Sequence, residues 1–411
     1  MTPPPSRCDV TVVGGGSAGL AAALAYARTG LSVCLLEKQP EGHAPPRGEI
    51  IQPNGIAALH RLGVLPRVKS LPHAVTDTYR FMRIGSGPLC AFDYGELDHP
   101  FPTTLVLLPE TIRTALEEAL GQHPGYASHQ AGVTGLIRES GTVSGVTWRQ
   151  GEQTGRIRAN LVVGADGAFS KVRREMNTGQ RISLYPGGYL TGLVPRPDGF
   201  ENDGYYYLGK GEILGLFPVS EEQLYFFYLL PVDGISRYRE MGVDWLQNRI
   251  AEIHPGAGEA VKAIRGWNDL NFYPCNLVMA TRWYAPGAAL VGDAAHNVNP
   301  HVAQGRNLAM VDALELARRT TPALLEGRAP TPADLHGYER ARRPQAEALQ
   351  RLSDELVLFW NAKNPALMML RDAAFRGLKR HTHLRYRVTA EIAGLESAPL
   401  GPLERARLVV A

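Results

Sequence analysis

Three short segments of this chain carry acids and glycines at spacings that suit a bound dinucleotide. Gly14-x-Gly16-x-x-Gly19 follows an apolar run at residues 10–13. In such a loop the first glycine permits a tight turn, the second lets backbone approach a pyrophosphate, and the third allows close helix–strand packing. The helix that opens there presents orphan N–H groups and a partial positive charge to phosphate. Glu37 stands 18 residues after Gly19 and can accept hydrogen bonds from an adenosine ribose. Its carboxylate would repel a 2′-phosphate, which suits FAD or NAD rather than NADP. Asp166 lies between Gly164 and Gly167, directly after the apolar residues 161–163. Asp293 repeats that logic after Leu290-Val291-Gly292. Alone, either acid is an ordinary turn at a strand end. His296 is open between a packed or capping residue and an acid–base group.

The elements that must position these groups follow from the pattern. Residues 10–13 form a buried strand, the loop 14–19 opens a helix through residue 26, and 31–37 is the next strand. This is a βαβ unit of about 30 residues. Residues 56–62 and 111–120 have helical character, the latter with Ile112 and Leu116 on one face. Residues 132–164 form a β-meander broken at Ser140-Gly141 and Gly151-Glu152. Residues 181–283, rich in aromatics and strand formers, make a separate, mostly antiparallel sheet. A buried strand returns at 289–291, followed by a helix over about 303–319, and the tail from 331 is helical and increasingly basic.

Together the segments resemble those of the class A FAD-dependent aromatic monooxygenases, the para-hydroxybenzoate hydroxylase-like superfamily. The ubiquinone-pathway hydroxylases and squalene monooxygenase look nearest, and the likeness runs from about residue 9 to 312. It implies an α/β fold: an FAD-binding Rossmann-like domain of glutathione reductase type, an inserted, mostly antiparallel β-sheet substrate domain, and C-terminal helices. The expected division is 1–75, 101–180 and 285–330 for FAD, 76–100 and 181–284 for the substrate sheet, and 331–411 for the helices. It also implies that Gly14, Gly16, Ser17, Ala18, Gly19, Glu37 and Lys38 hold the ADP half of FAD. Arg47, in Pro46-Arg47-Gly48-Glu49, would touch FAD and the face where nicotinamide arrives. Asp166, in the segment 165–173, would serve FAD and NAD(P)H, and Asp293 the ribityl chain. Pro300 would stand beside the isoalloxazine, with Gly305, Arg306 and Asn307 at its pyrimidine edge. Arg47 and Pro300 are thus the expected catalytic pair, and Arg113 is a further FAD contact. The chain departs from the family's common Gly-Gln-Gly-x-Asn with Ala303, and His301-Val302 is bulkier than usual, which restricts swinging of the flavin.

The implied reaction starts with hydride transfer from NADPH or NADH to FAD. Addition of O₂ then gives a flavin C4a-hydroperoxide, which delivers one oxygen to an electron-rich carbon. No second glycine loop for NAD(P)H is visible, in keeping with that family. Between Tyr205 and Pro231 the sole basic residue is Lys210, in a Gly-Lys-Gly turn. A buried substrate carboxylate would want an Arg or Lys. The expected substrate is therefore neutral, apolar and aromatic or polycyclic, with Tyr205, Tyr207, Phe217, Tyr225 and Phe227 as candidate pocket residues or ordinary sheet core. Three alternatives stand: an isoprenoid double-bond reductase, a non-catalytic flavoprotein, and a flavin-dependent halogenase. The halogenase would want a Trp-x-Trp pair, and the five tryptophans never come two apart.

Composition limits the rest. The chain has 411 residues, 44% hydrophobic and 20% charged, with a net charge of +3, too balanced for a nucleic-acid partner. Cys8, Cys34, Cys90 and Cys275 form no Cys-x-x-Cys, and a reducing, cytoplasmic setting without disulfides or a metal site is expected. The N-terminus lacks the apolar core of a signal peptide. Basic residues Arg371, Arg376, Lys379, Arg380, Arg385 and Arg387 interleave with apolar ones in the tail. They suit either a peripheral contact with anionic membrane or a helix packed on its own domain.

Overall fold

The computed structural model describes residues 3–40, 48–396 and 398–409. Arg47 lies outside them, so its expected role is carried by sequence alone. The strand Arg7–Val13 is fully buried from Val10 onward and pairs in parallel with Val33–Glu37 on one side and Gln153–Gly164 on the other. Ala288–Leu290 extends this sheet beyond Gln153–Gly164, and Tyr126–Gln130 extends it beyond Val33–Glu37. Strands buried on both faces read as continuous apolar runs, which is how residues 10–13 and 161–163 appear in the sequence.

The register decides where the motifs meet. Val13 lies beside Leu36 and Gly164, and Gly164 beside Leu290. The glycine loop, the Asp166 segment and the Asp293 segment therefore leave the sheet side by side at its carboxyl edge, the edge at which open α/β sheets bind ligands. The helix Ser17–Ala27 packs against Gly305–Leu325 behind that edge.

A second sheet has the order Asn271–Ala280, Gln180–Pro195, Gln223–Pro231, Ile213–Pro218, Gly204–Leu208, Thr78–Arg83, Gly87–Asp93. All neighbours are antiparallel except Gly204–Leu208 with Thr78–Arg83. One face carries the helices Asp244–Ile253 and Pro255–Val261, and the other looks toward the first sheet's loops and the C-terminal helices.

The tail folds as Pro332–Trp360, Pro365–Arg380, Thr382–Ile392 and Pro402–Val409. Met368, Phe375 and Leu378 are buried, Arg371 is 1% exposed, Arg385 pairs with Glu96, and Arg387 with Glu404. Met368, Phe375 and Leu378 thus pack on the protein itself, while Met369, Leu370, Arg376, Lys379 and Arg380 are exposed. Among the described residues no helix is long and apolar enough to cross a membrane. The four cysteines are free and buried.

Candidate active site

The glycine loop is built around three different needs. Gly14 has φ +107°, and a Cβ there would stand 2.4 Å from the Ala165 carbonyl oxygen. A Cβ at Gly19 would fall 1.8 Å from the carbonyl oxygen of Gly14, so this glycine lets the helix close onto the loop. A Cβ at Gly16 meets nothing within 4 Å. Beside that open space the helix Ser17–Ala27 begins without a side-chain cap. Its first N–H groups are thus available to an anion, and the loop fits a dinucleotide pyrophosphate. The Glu37 carboxylate accepts from the Gly15 N–H at 2.6 Å and the Gln39 N–H at 2.7 Å, which fixes it at the strand end next to the loop. Lys38 follows, exposed.

The two acidic segments differ in construction. Asp166 accepts from Ser170 Oγ at 2.5 Å, from the Lys171 N–H at 2.6 Å and from the Val172 N–H at 3.1 Å, so its carboxylate caps the short helix Lys171–Glu175. Arg173, 3% exposed, donates to the carbonyls of Ala168 at 2.6 Å and Ala294 at 2.8 Å. It thereby ties this segment to the one bearing Asp293. Asp293 itself is exposed in a single turn, Gly292–Ala294. A Cβ at Gly292 would lie 3.1 Å from Ala18 Cβ and 2.9 Å from Ala309 Cβ, so Asp293 is carried to the mouth of the glycine loop.

His296 resolves as a packed residue. It is 2% exposed, stacks on Trp283 at 4.6 Å, and its Nε2 lies 2.6 Å from Asp312 Oδ2. Arg342 Nε donates to the other Asp312 oxygen at 2.8 Å. Burial would raise the Asp312 pKa, but its interactions with His296 and Arg342 outweigh it and hold the carboxyl below its usual range.

The loop 299–307 is held on every side. Pro300 is exposed and opens a turn in which the Asn299 side chain accepts from the His301 N–H at 3.2 Å. Ala303 has φ +50°, the left-handed conformation, which explains why glycine is common at this position in the family. Gln304 donates to the Ile392 carbonyl at 2.6 Å and accepts from Asn54 at 3.0 Å. Asn307, fully buried, accepts from the Gln52 N–H at 3.1 Å and donates to the carbonyls of Ile50 and Ala303 at 3.1 and 2.7 Å. These bonds leave Asn307 a loop clamp. Gly305 starts the helix Gly305–Leu325, again without a side-chain cap. Arg306 contacts Ser17 Oγ and pairs with Glu49, donating from Nη2 at 2.6 Å, so its guanidinium stands at the mouth of the glycine loop. Arg113 pairs with Glu117 along its own helix at 3.1 Å.

Beyond this loop an aromatic cavity opens between the lobes. Tyr79, Phe81, Phe92, Tyr94, Tyr206 and Trp360 line it, with Gln52, His301, Val302 and Ile392. Tyr206 stacks on Phe81 at 4.8 Å and 4°. His301 lies 3.0 Å from the Tyr189 hydroxyl and 3.2 Å from Asn361 Oδ1, and burial pushes its pKa down to about 4. It is neutral at physiological pH.

Strand alternation divides the five aromatic candidates. Tyr205 and Tyr207 face away, toward Phe200 and His254, and Tyr206 between them takes the cavity side. The cavity-side tyrosine is thus the one between the two candidates, and in a strand one residue is a change of face. Phe217 and Phe227 share the Tyr206 face, and Tyr225 meets both. A Cβ at Gly48 would strike the Tyr225 ring at 2.4 Å, which places that ring against the Gly48-Glu49 segment. Gln52 and Trp360 were not singled out from sequence. The signal for Gln52 is its place before Pro53 at a helix start, directly after the strand Glu49–Ile51.

A profile of the FAD binding domain family matches residues 7–353. The chain is 32% identical to 6-methylpretetramide 4-monooxygenase of Streptomyces rimosus, over 84% of this chain and 83% of that protein. It is 29% identical to kynurenine 3-monooxygenase of Salinispora arenicola, over 84% and 79%. Among solved structures, p-nitrophenol 4-monooxygenase PnpA from Pseudomonas putida superposes with a TM-score of 0.83, covering 96% of this chain and all of that one at 20% identity. PqsL from Pseudomonas aeruginosa, in complex with 2-aminobenzoylacetate, gives 0.79 at 23% identity, over 87% and 97%.

Proposed function

This chain belongs to the FAD binding domain family of class A flavoprotein monooxygenases and is an FAD-dependent monooxygenase, and we propose that its substrate is a neutral, apolar aromatic molecule. The observation that carries this reading is the cavity lining: aromatic rings, three aliphatic or amide side chains and one neutral imidazole, with no charged side chain among the described residues. A substrate carboxylate buried there would have no cationic partner. Bound FAD would supply the redox chemistry, hydride acceptance from NADPH or NADH and activation of O₂ as oxygen donor.

The chain's own residues hold, orient and exclude. The first N–H groups of Ser17–Ala27 take the pyrophosphate, and Glu37 the adenosine ribose. Asp293 and the uncapped start of Gly305–Leu325 serve the ribityl chain and the pyrimidine edge, where the helix end favours negative charge. Pro300 and the Asn299-held turn, whose His301 and Val302 line the cavity, would separate a bound flavin from it. Neutral His301 adds a polar contact without adding charge. The cavity measures about 20 Å³, room for roughly one water, so a ring enters when the walls part. Trp360 and Ile392 belong to the C-terminal helices, which form the wall that would part.

NADPH or NADH oxidation under ¹⁸O₂, across neutral phenols, quinols and polycyclic aromatics with mass analysis of products, tests the proposal. One labelled oxygen in a neutral aromatic product is expected. Turnover confined to carboxylated aromatics would overturn the substrate class, and a reduced product without label would point to double-bond reduction.

A further inference from the structure

Gln52 is 2% exposed and stands where the flavin loop meets the aromatic cavity. Its backbone N–H is held by Asn307, and its side-chain nitrogen faces the Val302 carbonyl at 3.4 Å. A carbonyl can only accept, so the amide nitrogen must be the atom turned toward Val302. The amide oxygen is then directed elsewhere, and it is buried with no hydrogen-bond donor among the described residues. Burial raises the Tyr94 pKa and the Gln52 amide N–H lowers it, so the Tyr94 hydroxyl oxygen faces the amide nitrogen and not Oε1. A buried amide oxygen without a donor is rare in folded proteins and calls for a reason.

We propose that Gln52 Oε1 reads the substrate, accepting a hydrogen bond from a hydroxyl or ring N–H on the aromatic molecule. This rests on the cavity being the substrate site. It narrows the neutral aromatic class to phenols, enols and N–H heterocycles, and disfavours bare hydrocarbons and fully etherified rings. A ligand that displaces solvent from this space without returning a donor leaves the oxygen unpaired, and discrimination against such ligands is the strong kind. A hydrophobic wall could not make that distinction, because a ring with and without a hydroxyl differs little in apolar surface. The position also suits the chemistry. Gln52 is joined through Asn307 to the loop that meets the flavin, so the group it holds fixes which ring carbon faces the oxygen donor.

The test uses FAD-loaded enzyme and the pair 1-naphthol and 1-methoxynaphthalene, with binding read from the flavin absorption spectrum. Wild type is expected to prefer 1-naphthol about tenfold or more. Gln52→Leu, or Gln52→Met should the leucine variant fail to load flavin, is expected to bring the two affinities within about threefold by weakening 1-naphthol alone. A full preference retained in the variant, or none in wild type, overturns the assignment of Gln52. Failure of wild type to bind either probe overturns the cavity as the substrate site, and the inference with it.

Discussion

Gly16 and Gly19 look alike in sequence and serve opposite ends. A side chain at 19 would collide with the loop's own backbone, whereas one at 16 would project into open space. Gly16 also has φ −73°, which any residue adopts. Gly16→Val should therefore leave the flavin-free protein within about 0.5 kcal/mol of wild type while weakening FAD at least tenfold. Gly19→Ala should lower both. Thermal melts of stripped protein, paired with flavin-fluorescence titrations, separate the two, and equal stability losses would remove Gly16 from the pyrophosphate site. At this scale much was legible, because a glycine or acid at a strand's carboxyl end announces its geometry. Less legible was the parity of Tyr205-Tyr206-Tyr207. Three consecutive tyrosines alternate faces, and nothing local says which face the core helices cover. Gln52 is legible in its place before Pro53 but not in its role, since its significance lies in a hydrogen bond it does not make.

Between elements, the acid-and-glycine segments are joined by buried polar seams. Arg173 bolts one loop to the other, and Asp312 holds His296 from its own loop and Arg342 from the helix Pro332–Trp360. Sequence alone leaves His296 open between packing and catalysis, because its partner Asp312 lies 16 positions away on one helix and the second partner of Asp312, Arg342, a further 30 away on another. Asp312→Asn leaves Arg342 buried without its counter-ion and should destabilise the protein by about 3–5 kcal/mol. Its pH dependence has a definite sign. The native carboxyl is held below its ordinary range, so its contribution is complete above about pH 4 and is lost as pH falls through the native value. Urea melts from pH 7 down to 3 should show the gap between wild type and Asp312→Asn narrowing only at the acid end. A constant gap across that range would argue that Asp312 acts by shape rather than charge.

For the molecule as a whole, the question is why the helical tail is part of the enzyme. Its basic, interleaved pattern suggested either a membrane-facing surface or a packed helix, and pattern alone could not rank them, since both need one apolar face. Packing decides for most of its apolar residues, which meet the second sheet, and the tail reaches the flavin loop through the Gln304–Ile392 bond. Trp360, at the end of Pro332–Trp360, lies against Phe81, Tyr206, Phe375 and His301, so it fills space between the substrate sheet and the tail. Removing it should open a hole in the cavity wall. Trp360→Ala is expected to lose about 3–5 kcal/mol, the usual range for truncating a buried tryptophan. The same hole should take up free indole, because an apolar cavity binds a ligand of its own shape and binding to the native state alone raises its stability. Melts of FAD-loaded protein with and without millimolar indole should therefore rise by several degrees for Trp360→Ala and by about a degree or less for wild type. If indole shifted neither protein, Trp360 would be ordinary core and the tail a brace rather than a wall. If it shifted both equally, the cavity would already admit a ring without displacement of the tail, and the idea that the C-terminal helices part to let substrate in would have to be given up.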